Sequence, residues 1–336
     1  MTIDVIITTC NRADRASLTI FQLQTALDTH IQRIILIDSG DKSARSDYPL
    51  SETDLYVWTS HKNQPFQRYL GYSASDADLL LYLDDDMDLL DPGKVISVLE
   101  RILPGPYVGM NFSFRNDNRF LQSAPKSVTA FRAGKMISFA KWLSGSPSIK
   151  ENRLWFCGLR GRRLDDCEID FVHGGVFAAR RDFLYKDFNF QLFDYYEHRL
   201  GKGEDAVIGY CLSRQGPIWA AEGEMFYHND QEDSSYTVDL YSFNRRVACS
   251  RLFLSLEFER LSGRRTFLAR LHYQWYMLWR TAGLSLSLVV HPNRGRWDSV
   301  RGWLAGWWCA LMWKPRPQET AAKFWLEEVE KDLNDA

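Results

Sequence analysis

Apolar runs alternate with long connections through the first third of this chain. Four short apolar runs, "IDVIITTC", "RIILIDSG", "DLYVW" and "LLLYLDDD", are separated by connections too long for hairpins. Runs that are apolar on both faces suit strands buried on both sides, and parallel neighbours need long crossovers. The expected fold is therefore α/β, a doubly wound, mostly parallel sheet with flanking helices. A first helix is expected over "RADRASLTIFQLQTALDT", with Leu18, Phe21 and Leu27 turned to the core, and a second over "PFQRYLGYSASDA".

Composition narrows the function classes. With 336 residues, 45% of them hydrophobic, the chain can bury a full core. Its formal net charge of −2 provides no global basic field, so nucleic acid is not an expected partner. Six cysteines, at 10, 157, 167, 211, 249 and 309, lack CxxC spacing, which argues against a zinc site and a disulfide framework. The opening "MTIDVIITTC" runs straight into a strand pattern, without a charged segment before an apolar core. The expected location is the cytoplasm.

In parallel sheets of this kind ligands bind beyond the carboxyl ends of the strands, where Thr8, Thr9, Asn11, Asp38 and Asp84 fall. Asp84, Asp85 and Asp86 are consecutive there, and such crowding demands a compensating cation, donors or open water. There is no GxGxxG after the first strand and no GxxxxGK[ST], so a phosphate must be held in another way. A divalent metal does this with one or two carboxylates and ligand phosphate oxygens. In an extended segment alternate residues point the same way, which puts Asp84 and Asp86 on one side. A solvated acidic loop explains the triplet equally well.

Further along, "FVHGGVFAARRDF" pairs Gly174 with Gly175 at a strand start, where missing side chains let another group approach or simply allow a bulge. "GKGEDAVIGYCLSRQG" sets Glu204 and Asp205 at the head of a helix, where they face a substrate or serve the helix dipole. "EMFYHND" ends in His228, a metal-ligand type or a structural imidazole.

The segments "VIITTCNRADR", "IILIDSGD", "LLLYLDDDM", "HGGVFAARRDF", "GEDAVIGYCLSRQG" and "FYHND", in this order, resemble the family-two glycosyltransferases of GT-A fold, including bacterial rhamnosyl- and galactofuranosyltransferases. The resemblance covers about residues 3 to 245 and implies a catalytic domain over 1–248, with a helical region over 249–336. It implies that Thr8, Thr9, Asn11 and Asp38 line a nucleoside pocket, and that Asn63, Arg68, Asp84 and Asp85 contact the donor. It also implies that Asp84, Asp86 and His228 hold Mn²⁺ or Mg²⁺. Asp205 would be the catalytic base, Glu204 would orient the loop or contact the acceptor, and Gly174 and Gly175 would border the acceptor. An insert over 124–163 departs from the family pattern.

The implied chemistry is inverting transfer of a sugar from a nucleoside-diphosphate donor to a hydroxyl of a glycan or lipid-linked glycan. The metal neutralises the leaving diphosphate and a carboxylate takes the acceptor proton. The alternatives are a sugar-phosphate nucleotidyltransferase, whose glycine-rich phosphate loop is missing, and a catalytically silent sugar-nucleotide binding module.

The last ninety or so residues differ in character. "RRTFLARLHYQWYMLWRTAGL" carries Leu268, Leu271, Trp275 and Leu278 at helical spacing, and five tryptophans lie between Arg296 and Arg316. Trp303, Leu304, Trp307, Trp308 and Met312 surround much of that helix and cations flank it, a pattern that suits an interfacial helix on the inner face of the cytoplasmic membrane. Core packing and an oligomer interface are the competing readings.

Overall fold

The computed structural model describes residues 2–102, 104–115, 150–161, 163–229 and 239–336. Most of the insert expected at 124–163 lies outside them. The four apolar runs form β1 (Ile3–Thr9), β2 (Arg33–Asp38), β3 (Leu55–Trp58) and β4 (Leu79–Asp84). They pair in parallel in the order β3-β2-β1-β4, and β1 is buried along its whole length, as its unbroken apolar pattern requires.

The sheet then changes direction. β10 (Val176–Arg180) pairs antiparallel with β4, followed by β6 (Gly109–Arg115), β11 (Ile218–His228) and β5 (Met87–Leu89). β9 (Cys167–Ile169) joins β11, and β7 (Leu154–Trp155) with β8 (Leu159–Arg160) makes a separate hairpin. Register decides what the strand ends share. Thr8 lies opposite Asp84 and Thr9 opposite Asp38, while Val176 lies opposite Leu83, which brings the Gly174–Gly175 turn beside the acidic end of β4. The Asp84 N–H donates to the Gly175 carbonyl at 3.0 Å.

Helix α1 (Ala13–Leu27) packs on the sheet through Ala16, Thr19, Ile20, Leu23 and Leu27. Leu18 and Phe21 are exposed, contrary to expectation. The buried set recurs at three- and four-residue steps, and Leu18 and Phe21 fall off that stripe. Helix α2 (Gln64–Ala74) starts at an Asn63 cap and covers the opposite face, and α3 (Pro92–Ile102) packs near β6 and β11. Two short helices, α4 (Gln191–Glu197) and α5 (Glu204–Ser213), precede β11.

Four helices complete the chain: α6 (Leu240–Leu261), α7 (Thr266–Val290), α8 (Arg294–Met312) and α9 (Gln318–Asn334). The division expected at 248/249 falls inside α6, whose Ala248, Cys249 and Phe253 join one core with Phe66 of α2, Phe177 of β10 and Val207 of α5. Helix α8 lies against α6 through two glycines. A Cβ on Gly302 would sit 2.2 Å from the Tyr241 carbonyl oxygen, and one on Gly306 2.2 Å from that of Arg245. α9 returns to the sheet layer, where Trp325 is buried against Phe66 and Phe193 and donates to Asp194 Oδ1 at 2.9 Å.

Two indoles of the expected interfacial helix pack inside the bundle. Trp303 is buried, and Trp307 is half-buried and donates to Gln274 Oε1 on α7 at 2.8 Å. Those indoles hold α8 in the bundle. No described helix is long and apolar enough to cross a membrane.

Candidate active site

β4 ends at Asp84, and Asp85 and Asp86 make the turn into β5. The three carboxylates diverge and the protein supplies cations to each. Asp84 Oδ1 accepts from Arg68 at 2.8 Å and from Gln64 at 3.1 Å. Asp85 is fully buried, accepting from Thr9 Oγ1 at 2.6 Å and lying 2.5 Å from the Arg12 guanidinium. Asp86 takes Arg12 at 3.0 Å, and its other oxygen lies 3.3 Å from His228 Nε2.

Burial pushes Asp84 up to about 6 and Asp85 to about 7, outweighing the pull of Arg68 and Arg12. Asp86 behaves oppositely: burial raises it, but His228 and Arg12 together hold it below the ordinary carboxylate range. Arg12 directly follows Asn11 at the strand end, so its position there was the signal that sequence reasoning passed over.

Arg68 organises the second half of the site. Its buried guanidinium donates to Asp84, to the Gly174 carbonyl at 2.6 Å and to Glu204 Oε1 at 3.0 Å. Gln64 and Arg68 stand one helical turn apart on α2, the spacing that lets both reach Asp84. Glu204 is buried, with its second oxygen taken by the Tyr196 hydroxyl, so both oxygens are used inside the protein. Gly174 fits where a Cβ would lie 3.3 Å from Arg68 and 3.4 Å from Glu204 and Asp205. On Gly175 a Cβ would strike Met87 at 1.9 Å.

Asp205 opens α5 beside Glu204 but meets different partners. Its Oδ2 accepts from Gly174 N at 3.2 Å, its Oδ1 from Ala206 N at 2.9 Å, and Arg160 of β8 forms an ion pair with Oδ1. Burial alone would raise its pKa, but Arg160, His173 and Arg68 draw it well below the ordinary range. Asp205 is therefore a carboxylate at neutral pH. His173 lies between the Phe114 and Phe171 rings, and burial with Arg160 nearby lowers it to about 4, leaving the imidazole neutral. Neither Arg160 nor His173 was singled out from the sequence. Arg160 reaches Asp205 across forty-five residues, a pairing that no local pattern encodes.

The residues expected around a nucleoside divide into buried and rim positions. Asp38 is buried, accepting from Gly40 N at 2.7 Å and from the Tyr48 and Tyr56 hydroxyls at 3.0 Å. Thr8 and Thr9 are buried too, and the Thr9 carbonyl accepts from Gln67 at 2.9 Å. Asn63 is fully buried as the α2 cap, bonded to Phe66 N and the Phe193 carbonyl. Asn11 is exposed with φ of 55°, and its Oδ1 accepts from Asp41 N at 2.9 Å. Asp38 and Asn63 are thus enclosed by the protein, and Asn11 lies at its surface.

No protein-family model matches the sequence, and no curated protein matches it. Among solved structures, Staphylococcus aureus TarS 1–349 superposes with a TM-score of 0.50 at 11% identity, over 99% of this chain and 88% of that one. The fold is GT-A. The mannosyltransferase PcManGT from Pyrobaculum calidifontis, in complex with GDP-Man and Mn²⁺, gives 0.47 at 13% identity, over 99% and 87%. Glucosyl-3-phosphoglycerate synthase from Mycobacterium tuberculosis, in complex with Mn²⁺, UDP and phosphoglyceric acid, gives 0.44 at 11%, over 79% of each chain. At such identity the likeness speaks for the fold, and the activity must be argued from the site.

Within the GT-A framework the expected metal trio is only partly assembled. Asp86 meets His228, whereas Asp84 turns to Arg68, and among the described residues no three His, Cys, Asp or Glu side chains gather as a metal-holding group. The donor set still fits Mg²⁺ or Mn²⁺, which takes few protein ligands and completes its shell with water and phosphate oxygens. Asp86 Oδ1 is buried and accepts no hydrogen bond of good geometry, which leaves it able to take a cation.

Proposed function

We propose that this chain is a metal-dependent, inverting glycosyltransferase that moves a sugar from a nucleoside-diphosphate donor to a hydroxyl of a glycan or lipid-linked glycan. The observation that carries the reading is the convergence on Arg68: its guanidinium joins Asp84 of the acidic turn to Gly174 and Glu204, and Gly174 donates to Asp205. The acidic turn and an anionic candidate base thereby share one end of the sheet, where an open α/β fold binds its ligands.

Asp86 with His228, and Asp84 beside them, would hold Mn²⁺ or Mg²⁺. When bound, the metal supplies charge neutralisation to a leaving diphosphate. Asp205 accepts the acceptor's proton, since it is ionised and partly accessible. Glu204 acts through Arg68, fixing the guanidinium against the Gly174 turn. A base opposite the leaving group gives inversion at the anomeric carbon.

The test is a panel of nucleoside-diphosphate sugars with Mn²⁺ or Mg²⁺, starting with rhamnosyl and galactofuranosyl donors, followed by nucleotide release and by thermal shift. Metal-dependent release of nucleoside diphosphate is expected, with the product anomer read by NMR. Thermal shift without release would leave a binding module, and release of pyrophosphate from a nucleoside triphosphate mixed with a sugar 1-phosphate would indicate a nucleotidyltransferase.

A further inference from the structure

Helix α7 carries an apolar stripe that the bundle does not cover. Leu268, Leu271, Trp275, Leu278, Leu286 and Val289 recur at three- and four-residue steps, apart from one eight-residue gap, and each is between 47% and 77% exposed. The opposite side of α7, with Ala269, Tyr273, Tyr276 and Met277, is buried in the bundle. Helix α8 adds a second stripe of Trp297, Leu304, Trp308 and Leu311. Leu304 and Trp308 flank Trp307, which bonds to Gln274 on α7, so the two stripes border one seam.

Soluble surfaces seldom carry contiguous apolar area on this scale without a partner. Charge identifies the partner. Between residues 262 and 316 there are nine arginine and lysine residues and a single carboxylate, Asp298, in a chain whose net charge is −2. Arg264, Arg265, Arg270, Arg280, Arg301 and Lys314 are all exposed. Two copies meeting through this face would bring like charges together, which opposes a symmetric dimer. An anionic leaflet meets both demands, because indoles seat at headgroup level, apolar side chains enter the acyl boundary and cations pair with lipid phosphates. No described helix can span a bilayer, so the face lies on the surface.

We propose that the outer faces of α7 and α8 form a docking surface for an anionic lipid leaflet. The surface is independent of the transfer chemistry: a protein without glycosyltransferase activity would still bind lipid through it, so the two readings fail separately.

The test is flotation of the full chain with vesicles of phosphatidylglycerol and phosphatidylcholine, against vesicles of phosphatidylcholine alone. Binding to the anionic vesicles is expected, weakening about tenfold or more as salt rises from about 0.01 M to about 1 M and the screening length falls from about 30 Å to about 3 Å. Leu271→Glu with Trp275→Glu changes exposed positions only and should weaken flotation about tenfold while the melting temperature holds. Arg264→Glu with Arg265→Glu, outside the helix, gives the same reading if the first pair unfolds. Failure to float with anionic vesicles at low salt, equal binding to both vesicle types, or variants that float like the parent overturns the proposal. A parent dimer that the α7 variant splits, with no vesicle binding, assigns the face to a second copy and overturns it as well.

Discussion

Arg160 holds Asp205 in an ion pair, joining the β7–β8 hairpin at the end of the insert to the head of α5. A carboxylate bonded to a guanidinium stays ionised far into acid, but it is a weak base until that partner moves. Arg160 therefore tunes whatever proton transfer Asp205 performs.

The sign of that tuning can be measured. Burial raises the Asp205 pKa, while Arg160, His173 and Arg68 lower it. Arg160→Gln removes the strongest lowering influence, so the acidic limb of the kcat/KM profile should move to higher pH, since that profile reports groups of the free enzyme. An unmoved limb would assign proton transfer to another group.

Asp205→Asn preserves shape and one acceptor but cannot take a proton. Turnover should fall by about a hundred- to ten-thousand-fold, with nucleotide affinity by calorimetry retained. Near-normal turnover would exclude Asp205 as the base.

Asp86→Ala should abolish the metal-dependent part of nucleoside-diphosphate affinity. Arg12 keeps Asp85 as a partner and the fold persists, because Asp86 lies in a turn beyond the core strand. Titration with and without chelator reads the difference, and identical curves for parent and variant would remove Asp86 from metal binding.

His61 ties the end of β3 to α4 and α9 through Glu197 at 3.2 Å and Glu328 at 3.3 Å. Burial lowers its pKa, but the two carboxylates raise it above the ordinary value. A raised histidine stabilises the fold fully below the unfolded value of about 6.5, and the contribution is lost as pH rises through the folded value. The urea midpoint should therefore fall across that window, and His61→Gln should flatten the dependence.

Gly306 and Gly283 make opposite predictions on neighbouring helices. A methyl group on Gly306 would meet the Arg245 carbonyl oxygen at 2.2 Å and Ala248 Cβ at 2.8 Å, so Gly306→Ala should cost about 1–3 kcal/mol. Nothing lies within 4 Å of a Cβ on Gly283, inside α7, so Gly283→Ala should stabilise by about 1 kcal/mol. Thermal denaturation distinguishes the two, and equal signs would contradict the packing.

Local hydrophobic runs already specify the parallel strands and mark the strand ends where the acidic residues gather, because strand burial and βα alternation are written in them. "IDVIITTC" and "LLLYLDDD" could be read as buried strands with polar ends, and register then put Thr8 beside Asp84. Local spacing also marked the stripe of Leu268, Leu271, Trp275 and Leu278. Long-range packing settled which stripes are covered: α6 takes the glycine face of α8, α7 takes Trp307, and the α7 stripe is left outside. It also decided which cation each carboxylate meets. Arg68 reaches Glu204 across one hundred and thirty-six residues and Arg160 reaches Asp205 across forty-five. Such pairings depend on where the sheet brings distant loops together, and a one-dimensional pattern of charge and hydrophobicity holds no record of that distance.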